Sequence, residues 1–124
     1  MEWIFDSNTP IYTQLVEQLT LRIVTSVYAP GQRIPPVREL AVEAGVNPNT
    51  MQRALGELER LGLVYSQRTS GRFVTEDITM IETAKQELAS RRIREFLGAM
   101  KDLGFSGREI ADLIAAAQEK EESQ

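Results

Sequence analysis

Residues 36 to 63 read P-V-R-E-L-A-V-E-A-G-V-N-P-N-T-M-Q-R-A-L-G-E-L-E-R-L-G-L, and the pattern of this stretch decides the fold. Val37, Leu40, Ala41 and Ala44 fall on one face of a short helix, and Gly45 stands where a residue of positive φ must end that helix and turn the chain. Val46 plugs the turn. Asn47 is placed to cap the next helix and Pro48 to take its first position, where a missing N–H costs nothing and φ is already set. Met51, Ala54, Leu55, Leu58 and Leu61 then recur at three- and four-residue spacing, so the second helix turns that stripe inward. Its outward face carries Asn49, Thr50, Gln52 and Arg53. Amides, a hydroxyl and a guanidinium at the start of an outward-facing helix are what a major-groove reader presents to base edges and phosphates. The stretch predicts a helix-turn-helix, and the function is placed on the second helix.

Upstream, Thr9-Pro10 reads as a cap followed by proline at the first helical position, and Ile11, Leu15, Leu19, Ile23 and Val27 form an i, i+4 stripe on a first helix. Pro30-Gly31 ends it in a tight turn. Arg33-Ile34-Pro35-Pro36 leads extended into the helix-turn-helix, since a residue before proline avoids helical angles, and Ile34 anchors this connector in the core. Downstream, Leu63 to Gln67 has strand propensity, Arg68-Thr69-Ser70-Gly71 has turn composition and Arg72 to Thr75 reads as a returning strand. A β-hairpin directly after a recognition helix is the wing of a winged helix. Its arginines suit a phosphate backbone or a minor groove; the plainer alternative is a charged hairpin edge that discourages aggregation. Trp3 and Phe5, ahead of the first helix, are expected to cover the core or a partner subunit.

Composition narrows the chemistry. The 124 residues contain no cysteine and no histidine, which removes disulfides, thiolate chemistry, the usual zinc sites and imidazole bases. No metal, no cofactor and no enzymatic activity is expected, because no glycine-rich phosphate loop supports the abundant carboxylates. Neither a signal segment nor an apolar run long enough to span a membrane is present in the sequence, so a cytoplasmic protein without a membrane partner is expected. The net charge is −4, which at first opposes a nucleic-acid partner. Its distribution changes that reading. Residues 1–75 hold seven Arg and seven acids, whereas residues 76–124 hold seven Lys or Arg and eleven acids, so the acidity belongs to the tail. Arg33, Arg38, Arg53, Arg68 and Arg72 lie near the proposed reader or hairpin.

The stretches P-I-Y-T-Q-L at 10–15, A-P-G-Q-R-I-P-P-V-R-E-L-A at 29–41, V-N-P-N-T-M-Q-R-A-L-G-E-L-E-R-L-G-L-V at 46–64 and S-G-R-F-V at 70–74 together resemble the N-terminal DNA-binding domain of GntR-family transcription regulators. Two residues depart from that pattern: Ser26 stands where the family often has glycine, and Pro36 where it often has a serine able to cap the second helix or touch a phosphate. The resemblance implies that Arg38 reaches toward a base. It also implies base and phosphate contacts from Asn47, Asn49, Thr50, Gln52 and Arg53, and a wing contact from Arg68, Ser70, Gly71 and Arg72.

Residues 76–124 complete the expectation. Ile78, Ile81, Ala84 and Leu88, then Ile93, Phe96, Leu97, Met100 and Leu103, mark a long helix that Gly104 stops. Arg91-Arg92-Ile93-Arg94 within it reads as a salt-bridged face. Ser106-Gly107-Arg108-Glu109 is a capping box, with Phe105 and Ile110 placed as a hydrophobic staple, and Ile110, Ala111, Leu113, Ile114 and Ala117 line a second helix. The terminal E-K-E-E-S-Q has nothing to bury and is expected to fray. Two helices cannot enclose both a core and a metabolite pocket, so any small-molecule effector is left open and the stripes need a second surface. A second copy of the chain is the nearest candidate, through Ile81, Leu88, Phe96, Leu97, Met100, Ile110, Leu113 and Ile114. A short two-helix tail resembles the YtrA-like subfamily of GntR regulators. The expected protein is therefore mainly α with a small β-hairpin: a winged helix-turn-helix domain at 1–75 and a two-helix dimerisation region at 76–124. Its expected function is that of a homodimeric repressor on a palindromic double-stranded DNA operator. The alternative is a winged-helix protein-interaction module without DNA binding.

Overall fold

The computed structural model describes residues 1–123. Among them, five helices and one hairpin follow in the order α1 (Ile11–Val24), α2 (Val37–Ala44), α3 (Pro48–Arg60), β1 (Val64–Gln67), β2 (Gly71–Val74), α4 (Ile78–Asp102) and α5 (Gly107–Glu122). The expected class, mainly helical with a small antiparallel sheet, is the one observed. Two compact units form, Met1–Lys85 and the chain from Gln86 onward. The sequence changes character after Thr75, but the first unit extends further because Ile81 and Ala84 of α4 pack into its core.

That core is built from the stripes. Leu15, Leu19 and Ile23 of α1, Leu40 and Ala41 of α2, and Met51, Ala54, Leu55 and Leu58 of α3 are all buried, joined by Ile34, Leu63, Val64 and Val74. Each fully buried leucine contributes about 1.5–3 kcal/mol relative to an exposed one. The ends of the expected stripes fall outside it: Ile11, Val27 and Leu61 are exposed. For Val27 the cause is local. Helix α1 stops at Val24, Ser26 adopts φ 61°, and the turn brings the Tyr28 N–H to the Arg22 carbonyl at 3.0 Å, burying Tyr28 instead.

The start of α1 also differs from expectation. Thr9 does not cap it; Pro10 holds the cap position without a side-chain bond, and Gln14 Nε2 donates to the carbonyls of Thr9 and Asp6. Gln14 and Gln18 share a face of α1 and act as two clamps on the extended N-terminal segment. Gln14 Oε1 accepts from the Asp6 N–H and Gln18 Oε1 from the Ile4 N–H, while Gln18 Nε2 donates to the Ile4 carbonyl. The clamps hold Trp3 and Phe5 against the core. Trp3 in turn covers Arg22, a buried cation whose guanidinium lies 3.5 Å from the ring centroid and donates to the carbonyls of Gln18 and Met1. Burial holds the Arg22 pKa below its ordinary value, opposed by Tyr28 and Glu43.

The connector does more than run extended. The Ile34 N–H donates to the Arg72 carbonyl, the Val74 N–H to the Gln32 carbonyl and the Gly31 N–H to the Val74 carbonyl, so β2 is flanked on one side by β1 and on the other by the connector. A lone hairpin is marginal in water, and this third line of pairing fixes its base to the core.

In the second unit Gly104 ends α4, and α5 opens on the expected capping box: Ser106 Oγ accepts from the Glu109 N–H at 3.2 Å and Glu109 Oε1 from the Ser106 N–H at 2.9 Å. The expected fraying of E-K-E-E-S-Q is corrected. Helix α5 runs through Glu122, since alanine, glutamine, lysine and glutamate favour helix without burial, and Ser123 Oγ closes it on the carbonyls of Glu119 and Lys120. Gln124 lies outside the described residues. The list of docking positions also needs correction: Ile81, Leu88 and Ile110 are buried within the chain itself and cannot form an exposed stripe. Ile93, Phe96, Leu103, Leu113 and Ile114 are exposed, with Leu97 and Met100 half-buried. Among the described residues no helix is long and apolar enough to cross a membrane.

Candidate nucleic-acid interface

The turn between α2 and α3 has the geometry its residues dictate. Gly45 sits at φ 70°, ψ 36°, a left-handed conformation that costs a residue with a Cβ about 1–2 kcal/mol, and the following Val46 N–H closes on the Ala41 carbonyl at 3.0 Å. Asn47 Oδ1 then accepts from the Asn49 N–H at 2.8 Å, and Pro48 begins α3. The side-chain oxygen of Asn47 is thus committed to the cap. With Met51, Ala54, Leu55 and Leu58 facing the core, the exposed side of the first turns presents Asn49, Gln52 and Arg53, while Thr50 is half-buried. Arg38, the second residue of α2, is exposed and pairs with no carboxylate among the described residues.

Arg53 is not a loose side chain. Its guanidinium carbon lies 4.6 Å from the centroid of the Tyr12 ring on α1, a cation–π contact. Further along α3, Arg60 makes a forked ion pair with Glu57.

The wing is a four-by-four-residue hairpin in the register Val64↔Val74, Tyr65↔Phe73, Ser66↔Arg72 and Gln67↔Gly71. Tyr65 and Phe73 stack across it with centroids 5.7 Å apart. Gly71 at φ 101° allows the returning strand to begin, and the Arg33 guanidinium covers it so closely that a Cβ there would lie 3.0 Å from Arg33 Nε. Arg68 and Ser70, at the tip, are exposed, and Arg68 has no acidic partner among the described residues. Arg72 is placed differently from Arg68. Its Nε donates to Glu59 Oε1 at 2.6 Å, the same oxygen that accepts from Ser66 Oγ at 2.5 Å, and its side chain is 18% exposed. Those two donors, Ser66 first, hold the Glu59 carboxyl below the usual carboxylate range. Glu59 therefore ties the last turn of α3 to both strands of the hairpin, a role for which no sequence motif gave a signal. A cleft of about 210 Å³ opens beside this tie, lined by Arg33, Ile34, Pro35, Pro36, Val37, Gly71 and Arg72. Arg33 and Arg72 give it positive charge next to the connector.

The candidate interface thus consists of an exposed polar row on α3, an arginine on α2 and an arginine at the wing tip, neither arginine having an acidic partner among the described residues. Tyr12 and Glu59, to which the sequence reading gave no role, and Arg33, which it placed only near the reader or hairpin, contact the rest. Among the described residues no group of acidic side chains is arranged to hold a metal ion.

Residues 11–74 match the family described as bacterial regulatory proteins, gntR family. The chain is 38% identical over 110 residues to the HTH-type transcriptional regulator YhcF of Bacillus subtilis (strain 168), covering 89% of this chain and 91% of that one. It is 32% identical over 108 residues to the HTH-type transcriptional repressor YtrA of the same organism, covering 86% and 81%. A GntR family transcriptional regulator from Listeria monocytogenes superposes with a TM-score of 0.81 at 37% identity, covering 90% of this chain and 98% of that one. AraR(DBD), solved in complex with operator ORX1, superposes with a TM-score of 0.55 at 32% identity, covering 60% and 96%.

Proposed function

The chain belongs to the gntR family of bacterial regulatory proteins and is YtrA-like, a DNA-binding transcription regulator, and from that premise we propose that it is a homodimeric repressor of a palindromic operator. The observation that carries the proposal is the division of α3: one side is fully buried, and the other presents Asn49, Gln52 and Arg53 to solvent beside the unpaired cations Arg38 and Arg68. Exposed arginines without acidic partners are available to phosphates and base edges at no cost of breaking an ion pair. In this reading α3 enters the major groove, Arg38 and Arg53 reach base edges, and the wing lies along the flanking backbone through Arg68. The exposed apolar residues of α4 and α5, Phe96, Leu113 and Ile114 among them, face a second copy, which gives the two-fold object a palindrome requires. The protein acts in the cytoplasm, where its operator is.

Selecting bound duplexes from a random pool and sequencing them tests DNA binding and returns the site. On that site Arg38→Ala is expected to lose about 1–3 kcal/mol of specific binding. Arg68→Ala is expected to weaken specific and random DNA alike and to reduce the salt slope by about one, because it meets phosphate. Failure to enrich any sequence, together with binding that does not weaken with salt, would remove DNA reading from this surface.

A further inference from the structure

We propose that Tyr12 is a positioning residue for DNA reading: its ring holds the Arg53 guanidinium in place on the exposed side of α3 before DNA arrives. The inference rests on the DNA-reading role proposed above for Arg53. Three observations lead to it. Arg53 is exposed yet organised, with its guanidinium carbon 4.6 Å from the Tyr12 ring centroid. Tyr12 is itself anchored, half-buried and packed against the core from the first turn of α1, and α1 and α3 pack directly against each other. Arg60, seven residues further along α3, is paired with Glu57, so Arg53 is the cation that the ring holds.

The physical consequence concerns freedom. An arginine side chain carries roughly 2 kcal/mol of rotamer entropy, much of which is lost when it makes a bidentate contact. Stacking on a fixed ring removes part of that freedom in the unbound protein, so less is lost on binding. A cation–π contact uses the face of the ring and takes up no N–H donor, so the donors of Arg53 remain available to a guanine or a phosphate. Tyr12 reads nothing itself. It acts on affinity through Arg53 alone, which separates it from a residue that merely supports the fold.

A double-mutant cycle on the full-length protein tests this, using the duplex recovered by selection. Tyr12→Leu keeps apolar bulk against the core but removes the ring, and is expected to weaken binding about two- to five-fold, the range of an exposed cation–π contact. Tyr12→Phe keeps the ring and should restore the affinity. In an Arg53→Ala background, Tyr12→Leu should change affinity no further. Unchanged helical circular dichroism shows that the variants fold, and the Arg53 Nε–H resonance in the free protein should lose its ring-current shift in Tyr12→Leu and keep it in Tyr12→Phe. Equal losses with and without Arg53 would make Tyr12 a structural residue and overturn the proposal. Tighter binding by Tyr12→Leu would overturn it in the other direction, showing that the stack withholds Arg53 from DNA. If Arg53→Ala alone left binding unchanged, the assignment of Arg53 as a reader would fall, and the role of Tyr12 with it.

Discussion

The first unit and the second use the same device, an amphipathic helix, and end in opposite situations. In residues 1–85 the stripes of α1, α2 and α3 meet one another, so Leu15, Leu19, Leu40, Met51, Leu55 and Leu58 disappear from solvent, and the outer side of α3 is left presenting Asn49, Gln52 and Arg53. Among the described residues from 86 onward only Leu88 and Ile110 are buried, while Ile93, Phe96, Leu103, Leu113 and Ile114 stand exposed. A stripe that finds its partner within the chain makes a core. One that does not leaves apolar side chains in water, and on α4 and α5 these are the side chains that the proposed dimer would cover.

If that contrast holds, changes in the two regions should fail in different ways, and the largest expected effect lies in the tail. Phe96→Glu combined with Leu113→Glu places charge on the exposed stripe without touching the first unit. Sedimentation should change from dimer to monomer, and affinity for a palindrome should fall about 10²- to 10⁴-fold, because two half-site contacts are no longer linked. A chain ending at Lys85 should behave in the same way and remain folded, whereas one ending at Thr75 should lose stability with the removal of Ile81 from the core. A double variant that stayed dimeric would place the interface elsewhere.

Leu55→Ala sharpens the other half of the comparison. Leu55 is fully buried in α3, and truncating it should lower unfolding stability by about 2–5 kcal/mol through lost burial and the cavity left behind. The loss should be the same at every protein concentration, whereas the stability that a tail variant loses is the part contributed by dimerisation, which mass action makes concentration-dependent.

The tie between α3 and the wing gives a smaller effect with a pH signature. Glu59 is held below its ordinary pKa of 4.5 by Ser66 and Arg72. A carboxyl depressed in the folded state stabilises above its unfolded pKa, and that contribution disappears as pH falls through the folded value. Stability contributed by the tie should therefore be complete at neutral pH and lost on acidification below about 4.5, by about 0.5–1 kcal/mol for a pair this open to solvent. Denaturant titration of Glu59→Gln across that range should show a flatter pH profile; an unchanged profile would mean that Glu59 titrates alike in both states.

How much of this was legible in the sequence follows from which forces are local. The turn at Gly45, the Asn47 cap, the Ser106–Glu109 box and the three core stripes are decided by residues within a few positions of each other, and the pattern carries them. The pairing of the connector with β2, the Gln14 and Gln18 clamps, Arg22 under Trp3, Tyr12 under Arg53 and Glu59 against Arg72 join residues remote in sequence or depend on where a long side chain turns. No periodicity announces these. The same limit explains the site: Arg68 and Arg72 look equivalent in the hairpin sequence, and only the fold shows one free at the tip and the other bound to Glu59. Leu88 and Ile110 likewise belong to the tail stripes by spacing, yet are covered within the chain.

One departure from the family pattern that was visible in the sequence acquires its meaning from the backbone. Ser26, at a position where the family often has glycine, is the one residue other than glycine with positive φ among those described, at 61°. The conformation is required: it is what sends the chain from the end of α1 back so that Tyr28 is buried and its N–H meets the Arg22 carbonyl. A side chain in this conformation costs about 1–2 kcal/mol, whereas glycine loses roughly 0.5–1 kcal/mol more backbone entropy on folding. The difference leaves Ser26→Gly stabilising by about 0.5–1 kcal/mol. Ser26→Val should move the other way, since a β-branched residue is worse still with φ above zero. Because Ser26 lies in the unit with its own core, both shifts should appear in the urea midpoint at every protein concentration and leave dimerisation untouched. A midpoint that followed protein concentration would instead couple the end of α1 to the subunit interface, and the separation between a self-contained first unit and a partner-dependent tail would no longer stand.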